Sequence, residues 1–426
     1  MSGAARRYAA PWVLPVESPP IPNGAVLVAA DGRLSAIGPD ESVPAPPGVA
    51  AIRLEGAALL PGLVNTHTHL ELTGFGGRLP QEDFPAWIRE VIRLKAKRSR
   101  DDFLAAARRG IRDCWAGGVT TVADTGDTGA VAEALSELDG SGIAYHEVFG
   151  PHPSQASGAL QAAAGRLEEL AHFAGPRVRL GISPHAPYSV SGDLYRLVAE
   201  YASRHSLPVA VHLAESSDES QLLAAGTGGF AHAWQERGIP LPAGDGCTPV
   251  AWLERHGVLG ERTLCIHAVR ITETDLDTLS RRGVAVAHCP RSNRRHGHGV
   301  APVRGLLARG VRVGVGTDSV ASVSPLDLLA EARAARENAG ISAEQALRLV
   351  TVDAARALGV EGECGSLVPG KWADLVAMDL PGAVDASRLT DTLLTRPPGA
   401  VRLTVLGGRE VHQRPAVPVP QLARDG

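Results

Sequence analysis

The chain has 426 residues, 44% of them hydrophobic and 21% charged. That composition buries a large core and excludes a disordered or fibrous protein. A formal net charge of −4 supplies no basic field, which argues against nucleic acid as a partner. The five cysteines (Cys114, Cys247, Cys265, Cys289 and Cys364) are scattered and never spaced C-x-x-C. This argues against a disulfide framework or a thiolate zinc site and fits a reducing cytoplasm. The opening MSGAARRYAAPWVLPVESPPIP is broken by prolines and has no apolar stretch after its two arginines, so it does not read as a secretory leader. No run reaches the ~18 apolar residues that span a bilayer, so no membrane partner is expected.

In chain order, residues 1–58 carry short strand-like runs, GAVLVAADG, GRLSAIGP and VAAIRLEG, separated by Gly and Pro. The same texture returns within 366–426, in KWADLVAMDL and AVRLTVLGGREV. The two ends together are expected to form one small β-sandwich domain, followed after Gln413 by a Pro-rich, loosely ordered tail. Residues 59–365 alternate. Eight apolar, β-rich runs occur: LLPGLVNTHTH, VTTVADTG, IAYHEVFG, VRLGISPHAPY, PVAVHLAES, TLCIHAVR, VAVAHCPRSN and VRVGVGTDS. Helix-patterned segments lie between them, for example at 82–97 and 272–283. Eight apolar strands alternating with helices predict an α/β fold, a closed (β/α)₈ barrel. The longest insert follows the fifth strand and is expected to form a lid or pocket wall.

The residues capable of chemistry cluster where the strands stop, at the rim that carries the active site in such barrels. The first strand ends in His67-Thr68-His69, and alternate strand residues share a side. The fifth ends in His212 and Glu215, the sixth in His267, and the eighth in Asp318. Each alone fits a packed or solvated residue. Together they place four imidazoles and a carboxylate at one rim, which packing explains poorly and a metal ion explains well.

The texts PGLVNTHTHLEL, PHAPYSVS, VHLAES, CIHAVR, HCPRSN and VGVGTDS fall in this order. In them the chain resembles the amidohydrolase superfamily, in its cytosine-deaminase-like and chlorohydrolase-like branch. The resemblance covers residues ~20 to ~410 and implies the barrel and the two-ended β-domain. It also implies that His67, His69, His212 and Asp318 hold one divalent metal ion, zinc in the first place, with iron or manganese also compatible. Glu215 would be the proton-shuttling acid/base, with His267 and Asp318 the other catalytic groups and His185 a substrate contact. Three imidazoles and one carboxylate leave a position for water and lower its pKa from ~15.7 toward ~7. The resulting hydroxide would attack an amino-bearing ring carbon of a cyclic amidine and release ammonia. A second metal bridged by a carboxylated lysine is excluded, because the chain holds only three lysines, Lys95, Lys97 and Lys371.

HTHLEL, FPAWIREVI and PHAPYSVS resemble the aminodeoxyfutalosine deaminases of menaquinone biosynthesis, and less closely the S-adenosylhomocysteine and adenosine deaminases. This implies a purine-nucleoside pocket with Glu71, Trp87, Glu147, His185, Arg291 and Ser319 as contacts. Trp87 serves equally well as helix core, and Glu147 as the partner of an arginine. The loop Arg294–His298, unusually basic for this branch, either binds a substrate carboxylate or is solvated. A guanine-type deaminase or a chlorohydrolase would use the same metal set. H-x-E occurs as His69-Leu70-Glu71 but no P-C-x-x-C follows; H-E-x-x-H, G-x-G-x-x-G and G-x-S-x-G are absent. A small-molecule substrate is expected, and a homodimer is the default assembly.

Overall fold

The computed structural model describes residues 4–79 and 84–414. The proline-rich tail from 415 onward and the first two residues of the predicted 82–97 helix lie outside the described residues. Five strands open the chain: β1 (Arg6–Val13), β2 (Ile21–Val28), β3 (Leu34–Pro39), β4 (Ala50–Arg53) and β5 (Ala57–Pro61). Three close it: β14 (Leu375–Asp379), β15 (Val401–Leu406) and β16 (Arg409–Gln413). They join in one mixed sheet, in the order β16-β15-β14-β5-β1-β2-β3, with β4 beside β1. Tyr8, Val13, Leu59, Leu375 and Val405 belong to its core. Strand β1 lies in the stretch RRYAAPWV, which is not among the strand-like runs expected from the sequence. Its Pro11 is tolerated because it falls between the residues that pair with β4 (6–9) and those that pair with β5 (12–13).

The middle of the chain is the (β/α)₈ barrel. Its strands are β6 (Leu63–Thr68), β7 (Val119–Gly126), β8 (Gly142–Val148), β9 (Val178–Pro184), β10 (Val209–Leu213), β11 (Thr263–His267), β12 (Ala285–His288) and β13 (Arg312–Val315). Every hydrogen-bonded neighbour is parallel and sequential. The barrel closes through a parallel bridge between Thr68 and Asp318, where the N–H groups of Thr317 and Asp318 donate to the carbonyl of His67 at 3.1 and 3.0 Å. Gly316 makes this approach possible: a Cβ there would lie 2.7 Å from the His67 nitrogen and 2.8 Å from its Cβ. The run predicted as the first barrel strand is divided at Gly62, with Leu59–Pro61 in the terminal sheet and Leu63–Thr68 in the barrel.

Strand parity sorts the side chains. Val209, Val211 and Leu213 face the outer helices, whereas Ala210 packs inside with Val64, Ile143, Leu264 and Ile266. Ala354, Ala355 and Leu358 of the helix Val352–Leu358 join that inner cluster. After β6 come helix α1 (Phe84–Lys95) and helix α2 (Arg100–Ala116), the latter started by a capping box between Ser99 and Asp102. The insert after β10 forms three short helices, Ser217–Ala225, Gly229–Glu236 and Pro249–Arg255. Phe230 and Trp234 of the second pack against Phe84 and Tyr188, so this insert backs the pocket wall rather than forming it. Among the described residues no helix is long and apolar enough to cross a membrane. All five cysteines are buried free thiols.

Candidate active site

The residues predicted to hold the metal and to carry the chemistry lie together at the C-terminal rim of the barrel. Parity alone does not put them there. On β10, alternation sends His212 inward and Glu215 outward; on β11 it sends His267 outward with Cys265. Left-handed backbone at Ala214 (φ 51°) and at His267 (φ 74°) breaks the alternation and turns both side chains into the rim. Asp318 is also left-handed (φ 57°). Such conformations cost about 1–3 kcal/mol each in non-glycine residues and persist where surrounding contacts enforce them. At β10 the enforcing group is Glu219, whose carboxylate accepts the N–H of Ala214 at 2.7 Å and of Glu215 at 3.0 Å. Burial raises the Glu219 carboxyl to about 8 despite these donors.

His67, His69 and Asp318 converge on one point, and His212 lies against both histidines. The Asp318 Oδ1 lies 3.6 Å from Nε2 of both His67 and His69. The ring centroids of His67 and His212 are 5.0 Å apart, and those of His69 and His212 are 5.4 Å apart. Hydrogen bonds fix which ligand atoms remain free. Ser292 Oγ and Ser322 Oγ donate to Oδ2 of Asp318 at 2.5 and 2.9 Å, and the Ser319 N–H reaches Oδ1 at 2.7 Å. His212 Nδ1–H donates to the His185 carbonyl at 3.1 Å, leaving its Nε2 as the lone-pair nitrogen. Both ring nitrogens of His67 are buried without a hydrogen-bond partner. Burial lowers His212 well below the usual imidazole range and His69 to about 3, so neither is a cation. Neutral, convergent imidazoles beside an ionised carboxylate, with an unsatisfied buried nitrogen among them, fit a divalent metal ion of the zinc type.

Glu215 lies beside this cluster. Its Oε1 is 3.4 Å from Nε2 of His267 and 3.4 Å from Nε2 of His298. Burial raises the Glu215 carboxyl, but the two imidazoles outweigh it and bring the group down to about 2. Asn293 ties the two imidazoles together. Its side-chain oxygen accepts from Nδ1 of His267 at 2.9 Å, and its carbonyl accepts the backbone N–H of His298 at 2.9 Å.

Above the cluster opens a cavity of about 560 Å³, the size of a small-molecule site. One wall is the apolar face of α1, with Phe84, Trp87, Ile88 and Val91; Phe149 and Tyr188 line it elsewhere. Glu147, His185 and Ser319 also line it, whereas Glu71 and Arg291 do not. Glu71 sits one layer behind, where it accepts from Lys95 Nζ at 2.8 Å and from Thr128. Arg291 is turned away: its N–H donates to Glu331 Oε2 at 2.9 Å and its guanidinium is 3.5 Å from Oε1. In the basic loop Arg294 is exposed, while His296 packs on Trp87 and His298 on Phe84, with centroids 4.7 and 4.6 Å apart.

Sequence reasoning missed Lys95, Asp127, Thr128, Glu219 and Asn293. Lys95 projects from the last turn of α1 into the cavity and also bonds Asp127 at 2.6 Å. Burial alone would lower its ammonium, but Glu71 and Asp127 outweigh that and hold it charged. Its one available signal was its rarity in an arginine-rich chain.

Fold and site together describe a (β/α)₈ barrel whose rim carries a His/Asp cluster able to hold a metal ion. The amidohydrolase family profile matches residues 58–411. The chain belongs to the amidohydrolase family and is a hydrolase acting on carbon–nitrogen bonds. It is 30% identical over 411 residues (92% of this chain, 89% of the relative) to a 5-methylthioadenosine/S-adenosylhomocysteine deaminase of Symbiobacterium thermophilum. It is 34% identical over 330 residues (74% and 76%) to an aminodeoxyfutalosine deaminase of Deinococcus radiodurans. An adenosine deaminase from Xanthomonas campestris with bound zinc superposes with a TM-score of 0.81 at 25% identity, covering 96% of this chain and 93% of that one.

Proposed function

We propose that the protein is a zinc-dependent deaminase of adenosine-type nucleosides. The observation that carries this is the carboxylate of Glu215, held against the imidazoles of His267 and His298 beside the cluster of His67, His69 and Asp318, at the base of a largely apolar cavity. His67, His69, His212 and Asp318 would hold the ion, which when bound acts as a Lewis acid and lowers the pKa of water. Asp318 accepts a proton from the attacking water. Glu215, ionised at rest, takes up a proton that originates on the water, delivers it to the ring nitrogen next to the amino-bearing carbon, and passes the second water proton to the departing amine. His267, held by Asn293, faces the same oxygen of Glu215 and orients the water. The water oxygen stays on the carbon as the carbonyl; one of the two water protons remains on the ring nitrogen and the other leaves with the amine as ammonia.

The far end of the cavity supplies sugar recognition in this reading. Lys95 and Asp127 present a cation and a carboxylate, a donor and acceptor pair suited to a vicinal diol, while the buried Glu147 carboxyl lies back toward the cluster, within 4.8 Å of ring nitrogens of His69 and His212. Toward the mouth α1 offers only apolar side chains, and no arginine lines the cavity among the described residues. A nucleoside with an uncharged, apolar 5′ group fits this wall. The arginines of the 294–298 loop do not face the cavity and lend no support to a carboxylated tail. A second reading, 6-aminodeoxyfutalosine, is favoured by the 34% identity to the Deinococcus enzyme.

Ammonia release from the zinc-loaded protein decides among them. The substrates are 5′-methylthioadenosine, 5′-deoxyadenosine, S-adenosylhomocysteine, 6-aminodeoxyfutalosine and guanine. The highest kcat/KM on the first two supports the apolar reading; selective turnover of 6-aminodeoxyfutalosine supports the second. Release from none would overturn the substrate class.

A further inference from the structure

The histidine His298 has no role in the chemistry described so far. It stands on the loop after the short helix Pro290–Arg295, in a run of basic residues that first suggests a solvated surface. Instead its side chain is 4% exposed, wedged between Phe84 of α1 and the carboxylate of Glu215. Its Nε2 is buried with no hydrogen-bond partner and comes within 3.4 Å of Oε1 of Glu215, which lies the same distance from Nε2 of His267. The His267 Nδ1–H is committed to Asn293, so in its neutral form His267 presents a lone pair to Glu215 and cannot donate to it. A buried carboxylate needs donors. Of the two imidazoles, only His298 can bring one to Oε1 without a change in the protonation of His267. Its position is fixed by the backbone bond from His298 N–H to the Asn293 carbonyl and by the edge contact with Phe84.

We propose that His298 is a positioning residue for Glu215: its Nε2–H donates to Oε1 and holds the carboxylate in the orientation from which it moves a proton to the substrate. The inference rests on the assignment of Glu215 as the proton shuttle. It adds that the basic loop contributes to turnover through a histidine that acts on the shuttle, and not through arginines that bind substrate.

The test compares H298L, which fills the volume without a donor, with H298Q, which keeps an N–H donor. Both are made in the wild-type and E215Q backgrounds, loaded with zinc and checked for metal content. Crystal structures of wild-type and H298L protein give a readout independent of substrate. The expected results are a Glu215 carboxylate turned away from its wild-type position in H298L, a kcat reduced roughly 10- to 100-fold with KM within about twofold, and partial recovery in H298Q. In the E215Q background H298L costs nothing further, because the residue acts through Glu215. An undisplaced Glu215 in H298L, or a kcat in H298L equal to that of H298Q, overturns the proposal. An inert wild-type enzyme with a displaced Glu215 in H298L overturns the functional reading and leaves the positioning role standing.

Discussion

The carboxylate of Glu219 accepts the backbone N–H of Glu215 at 3.0 Å, so one buried acid fixes the backbone from which another acts. Its folded pKa near 8 lies above the ordinary carboxyl value of 4.5. The folded chain therefore binds this proton more tightly than the unfolded one. The stability it contributes is complete below about 4.5 and is lost as the pH rises through about 8. The melting temperature of the zinc-loaded protein should fall across that window, and E219Q should flatten the fall. Glu331, raised by burial to about 8 as well, contributes in the same direction. E219Q/E331Q should be flatter still, and a wild-type curve without slope in this range would refute the assignment.

E215Q and H212A separate shuttle from ligand. E215Q removes the ionisable oxygen but leaves the cluster of His67, His69, His212 and Asp318 intact. It should retain stoichiometric zinc while kcat drops by about 10²–10⁴. H212A should lose zinc itself, seen by elemental analysis. Full activity in E215Q would remove Glu215 from the mechanism.

K95M tests the polar end of the cavity. It leaves Glu71 and Asp127 facing each other without their cation. The KM for ribonucleosides should rise roughly tenfold or more, while kcat/KM for a 2′,3′-dideoxynucleoside changes little, because that substrate lacks the diol. An equal loss on both substrates would mark Lys95 as a purely structural ion pair.

G316A probes the barrel closure. The added Cβ would meet the His67 backbone at 2.7 Å, in a strand held on both sides, so neither partner can yield cheaply. A loss of about 1–3 kcal/mol in unfolding free energy is expected, with weakened zinc binding because His67 moves with its backbone. Denaturant unfolding and a zinc titration check both.

Much of this protein was legible before any coordinates. The eight apolar runs, each ending in a polar residue, determined the barrel and the rim, because parallel strands must be buried on both faces and so are continuous in sequence. The pairing of His67 with His69 followed from the strand period of two, whereas Asp318 was singled out by its place at a strand end and by the resemblance of VGVGTDS. Strand β1 was hidden, because Pro11 is acceptable only at a break between two neighbouring strands that the chain itself does not advertise. Tertiary structure alone decided the rest. Left-handed backbone at Ala214 and His267 reverses strand parity and brings Glu215 and His267 into the site, and that turn is held by Glu219 and Asn293 through contacts local sequence does not specify. It set Glu71 behind the pocket and Lys95 inside it, and it turned Arg291 away while burying His298 against Glu215. Sequence periodicity fixes which side of a strand a residue takes, but a charged side chain at a strand end goes where a partner satisfies it, and partners are assembled only by the fold.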